Sequence, residues 1–214
     1  PVLNSYWLMI HVSVIVSSYG FLIMGGFLGL LSLILMIFKS NKNKEIINSK
    51  ISELTIINEK TLIIGLFMLT IGTFLGGVWA NESWGRYWGW DPKETWALVS
   101  ILVYAFILHM RFVPGLQAKH TFNVASVIGV YSVLMTYFGV NHLLSGLHSY
   151  AAGEKLNVSI WMQIPISVKV SVFIVFLIIF LSKMQEYNNK KREEATTVLL
   201  ILITLVLLFY NNSI

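Results

Sequence analysis

The chain contains no cysteine, so it cannot itself carry out thiol–disulfide exchange, which needs a thiolate to attack a disulfide sulfur. Charge is nearly as scarce. Charged residues make up 12% of the 214 and apolar residues 56%, whereas soluble domains carry about a quarter charged. The net charge is only +5, and the basic residues are sorted along the chain rather than gathered in one patch, so nucleic-acid binding is not expected. The start shows no basic segment followed by a cleavage site, and no signal peptide is expected. Pro1 in place of an initiator Met is what a processed, trimmed or excised chain would show. What fills the sequence is a series of apolar runs long enough to cross a ~30 Å hydrocarbon core. The expected fold is all-α: a polytopic transmembrane helical bundle of about six spans, forming one membrane domain over residues 1–214.

The first run extends from Trp7 to Phe38 and carries Gly25 and Gly29, a spacing that lets a neighbouring helix approach closely. Lys39 to Lys60 is polar with five lysines. Within it Ile47, Ile51, Leu54 and Asn58 share one face, which predicts a short helix lying on the membrane surface. The second run, Leu62 to Trp79, repeats the small-residue spacing at Gly72 and Gly76. A third covers about Thr95 to Phe112 and is stopped by Pro114-Gly115. The fourth covers Phe122 to Val140, and the fifth Pro165 to Leu181. A last run, Thr196 to Tyr210, is barely long enough to span.

Alternate connections differ in charge. Lys39–Lys60, Arg111–His120 and Lys183–Glu194 hold five, two and four Lys or Arg, whereas Arg86, Lys93 and Lys155 are the only ones in the other two. The basic side is expected to be cytoplasmic, which puts the N-terminus and the segments around Trp84 and His148 on the outer side. Lys169, a turn inside the fifth run, can snorkel outward.

Between the second and third runs lies Trp84-Gly-Arg-Tyr-Trp88-Gly-Trp90-Asp91-Pro-Lys-Glu-Thr-Trp96, four tryptophans in thirteen residues. Tyr87, Arg86, Asp91, Lys93 and Glu94 are interleaved with them. Aromatic residues at a membrane interface account for one or two rings per helix end, not for this density. The composition fits a binding surface for a large, flat, partly apolar ligand with acidic groups. Asp91-Pro92 at a helix start favours a capping role for Asp91 and Glu94 over acid chemistry.

The string WGRYWGWDPKETWAL resembles the tryptophan-rich "WWD" signature of the haem-handling membrane proteins of cytochrome c maturation, and its DPKETWA ending is similar to the CcsA (ResC) branch of System II. The segment Gly139-Val-Asn-His-Leu-Leu-Ser-Gly-Leu-His148-Ser-Tyr-Ala resembles the second external histidine segment of that family. The likeness runs from about Tyr6 to Ser182. It implies haem b as transported substrate, handled by export, presentation and covalent attachment to the CxxCH segment of an apocytochrome c, a holocytochrome c synthase (haem lyase) activity. The implied partners are a CcsB-like membrane protein, fused or separate, the apocytochrome, and thiol-reducing proteins acting on it. The implied location is the bacterial inner membrane or the thylakoid membrane, with the haem loop (residues 79–96) on the periplasmic or lumenal side.

Neutral imidazole is the commonest protein ligand of haem iron, and an ionisable group inside a span is a functional candidate. His11 lies about one turn into the first run and His148 in an outward segment, so the two can converge beside the tryptophans as axial ligands. Both match the family's external ligands. The tryptophans Trp84, Trp88, Trp90 and Trp96, with Asp91, would grip the porphyrin, and Arg86 or Lys93 would pair with its propionates. His109 is thirteen residues beyond Trp96, roughly 20 Å deeper, so one haem cannot reach both depths. By resemblance it is a transmembrane ligand whose companion belongs to the CcsB part. His120, in a basic connection, is expected to be solvated, and His142 structural. Two other readings compete: a CcmC-type haem-delivery subunit that forms no thioether, and a structural subunit of a respiratory complex whose tryptophans only anchor it.

Overall fold

The computed structural model describes residues 5–143 and 166–211. Among these every regular element is helical: α1 (Tyr6–Ile37), α2 (Lys44–Trp84), α3 (Pro92–His109), α4 (Lys119–Leu134), α5 (Val140–Leu143) and α6 (Ile166–Asn211). A 3₁₀ turn, Met110–Phe112, ends α3, and a π turn, Met135–Gly139, joins α4 to α5. Five helices among the described residues are long and apolar enough to cross a membrane, and the protein is a polytopic helical membrane bundle.

Two expected boundaries change. The lysine-rich segment does not form a separate surface helix, because α2 runs unbroken for 41 residues, about 61 Å at 1.5 Å each. The face carrying Ile51 and Asn58 was correctly grouped, but it packs into the bundle: both are buried, and Asn58 Nδ2 donates to Asn123 Oδ1 (3.3 Å) and Ser126 Oγ (3.2 Å) of α4. Likewise Thr196 to Tyr210 continues α6 without a turn, so it lengthens the helix that holds the fifth span rather than forming a sixth helix.

The antiparallel pair α1/α2 is locked by side chains seated on glycines. Leu62 faces Gly25, Leu22 faces Gly65, Ile15 faces Gly72 and His11 faces Gly76. The steps along α1 and α2 are equal and opposite, as two antiparallel helices in one register require. Gly26 and Gly29 do the same against Val130 and the Asn123–Val127 stretch of α4. The small-residue pairs are therefore used for packing within this chain, where van der Waals contact replaces the hydrophobic effect that lipid cannot supply. Leu22, Leu62, Leu69, Tyr104, Ile107, Met110 and Val133 form the core where α1 to α4 meet. α6 packs on α1 and is the least buried of the spans.

Candidate functional site

His11 is placed by its glycine. A Cβ at position 76 would sit 2.6 Å from His11 Cε1, so the imidazole occupies the space that any other residue there would take. Its Nδ1 donates to the Gly72 carbonyl at 2.7 Å. In neutral imidazole that bond makes Nε2 the nitrogen with the lone pair, which is how an orienting hydrogen bond prepares a histidine ligand. Trp79 is 1% exposed and lies parallel to the imidazole, 6.3 Å between centroids with 10° between planes. Trp84 meets Trp79 edge-on at 4.8 Å. Gly72, Gly76 and Trp79 share one face of α2 at i, i+4, i+7 spacing.

The tryptophan segment folds as a braced turn. Gly85 ends α2 at φ 71°, a conformation glycine reaches without a Cβ penalty. Asp91 caps α3, accepting from the Lys93 backbone N–H at 3.3 Å. Glu94 Oε2 accepts from the backbone N–H groups of Gly89 (2.8 Å) and Asp91 (3.2 Å), closing a capping box. Between those two anchored amides Trp90 has φ 56°, a strained conformation for a bulky residue. Glu94 therefore holds Trp90 in place, and its ring is 71% exposed, edge-on to Trp88 at 5.8 Å.

Two cavities meet behind this turn. A small one of about 90 Å³ is bounded by His11, Tyr19, Gly76, Trp88, Lys93 and Thr136. A larger apolar one of about 430 Å³ lies between α2 and α3, against Phe74, Leu98 and Ile101. They share Thr73, Gly77, Tyr87 and Trp88 as walls. Lys93 Nζ donates to Asn141 Oδ1 at 2.9 Å, tying the turn to the end of the fourth span. Thr136, in the π turn, lies 3.0 Å from Ser100 Oγ and donates to the Trp96 carbonyl at 3.1 Å. π turns inside helices are frequent at functional sites.

Of the residues singled out in the sequence, the structure brings His11, Trp88 and Lys93 around one cavity, with Trp84 one ring removed and Trp90 packed on Trp88. Trp96 is joined to Thr136 by its carbonyl only, Arg86 is exposed with its guanidinium against Gly89, and Asp91 is a buried cap. His148 lies outside the described residues, as does the side chain of His142. His109 is exposed on the outside of the bundle, with Nδ1 donating to Ala105 O of its own helix at 2.6 Å. His120 is not solvated: it is 6% exposed, with Nε2 3.0 Å from Ser182 Oγ. Sequence reasoning gives Gly76 a packing role only, sets Trp79 at the edge of the haem loop without a role of its own, and misses Thr136. The first two were legible in the shared i, i+4, i+7 face, whereas nothing in the sequence marks the π turn.

Fold and site together define a multi-pass helical membrane protein with an aromatic-walled histidine cavity at one end. The family model of the cytochrome C assembly protein matches residues 1–148, and the chain belongs to that family, as a CcsA-type cytochrome c biogenesis protein. It is 56% identical over 156 residues to "Protein NrfI" of Wolinella succinogenes, covering 73% of this chain and 17% of that protein. It is 45% identical over 150 residues to "Cytochrome c biogenesis protein CcsA" of Chlamydomonas reinhardtii, covering 70% of this chain and 42% of the relative. For the protein of that name in Prochlorococcus marinus the identity is 42% over 176 residues, covering 70% and 55% respectively. The chain thus spans from about a sixth to just over half the length of the curated relatives it matches.

Proposed function

We propose that, within cytochrome c biogenesis, this chain holds haem at the tryptophan end of the bundle and presents it for covalent attachment to apocytochrome c. The observation that carries the reading is the seating of His11: a lone-pair nitrogen set by the Gly72 carbonyl and walled by Trp79, Tyr87 and Trp88. One imidazole, flat aromatic walls, an adjoining apolar cavity and a lysine at its edge fit a porphyrin that brings its own four nitrogen ligands. His148 supplies the second axial ligand. The tryptophans clamp the macrocycle, and Lys93 or Arg86 faces the propionates. The reaction adds two cysteine thiols of a CxxCH segment across the two vinyl groups of the haem. Each S–C bond forms as the thiol proton passes to the neighbouring vinyl carbon, with no net redox change. The chain's contribution is positioning.

In this reading the tryptophan end faces the periplasm or the thylakoid lumen, and the lysine-rich end faces the cytoplasm or stroma. His109, pointing out of the bundle at a deeper level, meets a second haem only when a CcsB-like chain supplies the opposing ligand.

The test is a reconstitution containing this chain, its CcsB-like partner, haem and reduced apocytochrome c, with no haem chaperone. Covalent haem that survives denaturing electrophoresis is the expected result. Haem bound by the chain but passed on without a thioether product would instead identify a delivery subunit of the CcmC type.

A further inference from the structure

At the end opposite the tryptophans, α1, α2, α4 and α6 enclose another cavity, of about 230 Å³. Its charged wall is mainly cationic. Lys39 and Lys119 line it; Lys119 stands between this cavity and a neighbouring one, where its Nζ donates to the neutral hydroxyl of Ser52. The one carboxylate on the wall, Glu186, is ion-paired with Lys183 at 2.7 Å, which offsets its charge. His120 is engaged with Ser182. The amides of Asn48 and Asn189 add hydrogen-bonding groups, and Met36 and Ile51 form an apolar base. The first turn of α4, which lines the cavity, has no side-chain cap, so its backbone N–H groups add to the pull on an anion.

Two cations, two amides and an apolar base make a receptor for a phosphate ester with a short hydrocarbon attachment. The volume lies below the ~300–1,000 Å³ of sites that enclose a drug-sized molecule, which suits a headgroup and not a macrocycle. The cavity sits among the lysines that end α1 and begin α2 and α4, the level at which basic pockets between helices meet anionic headgroups. We propose that it binds the phosphate headgroup of an anionic phospholipid, and that the lipid fastens α6 to the rest of the bundle. α6 is the least buried span; it is tied to the bundle by Gln185 Nε2 donating to the Lys39 carbonyl at 2.7 Å and by Ser182 at His120, and it contributes Glu186 and Asn189 to the cavity. The proposal does not use the haem reading, so either can fail without the other.

The experiment compares thermal midpoints of the purified chain in phosphatidylcholine nanodiscs with and without phosphatidylglycerol. A rise of roughly 2–4 °C is expected with the anionic lipid. It should vanish in Lys39→Gln/Lys119→Gln, persist in Lys39→Arg/Lys119→Arg, and persist in Lys42→Gln/Lys50→Gln, whose lysines lie off the cavity. Phosphatidylglycerol retained by the parent in native mass spectrometry, and lost by the first variant, would support the same conclusion. The proposal is overturned if both nanodiscs give one midpoint. It is also overturned if the rise survives in Lys39→Gln/Lys119→Gln, falls equally in Lys42→Gln/Lys50→Gln, or is reproduced by soluble glycerol phosphate, which would assign the site to a free phosphate.

Discussion

His11 depends on a neighbour that has no side chain. Because a Cβ at Gly76 would lie 2.6 Å from its ring, Gly76→Leu is expected to push the imidazole out of line without touching an iron ligand. Haem retention should then fall as it does in His11→Ala, and circular dichroism should still report a helical protein. His11→Ala or His148→Ala should abolish haem binding at the tryptophan end, with partial recovery on adding imidazole, since the small molecule can fill a vacant axial position. Maturation at parental levels in both alanine variants would contradict the assignment. Trp88 borders both cavities, so a ring matters there more than an indole N–H. Trp88→Phe should hold haem nearly as well as the parent. Trp88→Ala should lose about 1–3 kcal/mol of stacking, roughly a 5- to 150-fold weaker Kd in a haem titration. Much of this was legible: His11 and the tryptophans announce themselves by residue type and spacing. Trp79 did not, because as the last residue of an apolar run it reads as an interface anchor. Only its i+3 relation to Gly76 places it over the imidazole.

At the scale of elements, the turn between α2 and α3 is braced by Asp91 and Glu94, whose carboxylates hold the backbone amides of Lys93, Gly89 and Asp91. Asp91→Ala removes the cap and should lower stability by about 0.5–2 kcal/mol, a drop in thermal midpoint of a few degrees. Glu94→Ala frees the amides on both sides of Trp90 and should reduce haem affinity as Trp90→Ala does. Glu94→Gln, whose amide oxygen can still accept, should be milder; if Glu94→Ala binds haem like the parent, the turn is not held for the ligand. The capping pair was readable from Asp91-Pro92 with Glu94 three residues on. The extent of α2 was not. Five lysines between Lys39 and Lys60 broke the apolar pattern, yet charge does not end a helix, and no proline or glycine interrupts residues 44–64. The buried Asn58 contacts with Asn123 and Ser126 decide the case by giving that stretch a protein partner in place of a membrane surface. The last apolar run failed for the same reason, since nothing between Leu181 and Thr196 forces a turn.

Across the whole molecule, two histidines point in different directions. His11 faces inward against α2 at the tryptophan end, and His109 faces outward near the other end of α3. Both have Nδ1 bonded to a carbonyl, which puts the lone pair of the neutral ring on Nε2 in each. Lipid offers no polar partner to the Nε2 of an exposed imidazole within a span, so His109 is where a CcsB-like chain is expected to dock. Purified with that partner, the complex should show a second bis-histidine haem, beyond the one on His11 and His148, that His109→Ala removes. The same His109-dependent signal from this chain alone would exclude a partner ligand. The different depths of the two histidines were predictable from thirteen residues of helix; the outward direction of His109 was not, because rotation about the helix axis is fixed by which residues of α3 meet α4. The proposed haem site stands or falls on His11. The most direct measurement is the visible spectrum of the purified chain supplied with haem, parent against His11→Ala. A Soret band is expected in the parent, lost in His11→Ala and returning with added imidazole. Equal Soret absorbance per protein in the two, or none in a folded parent, would contradict it.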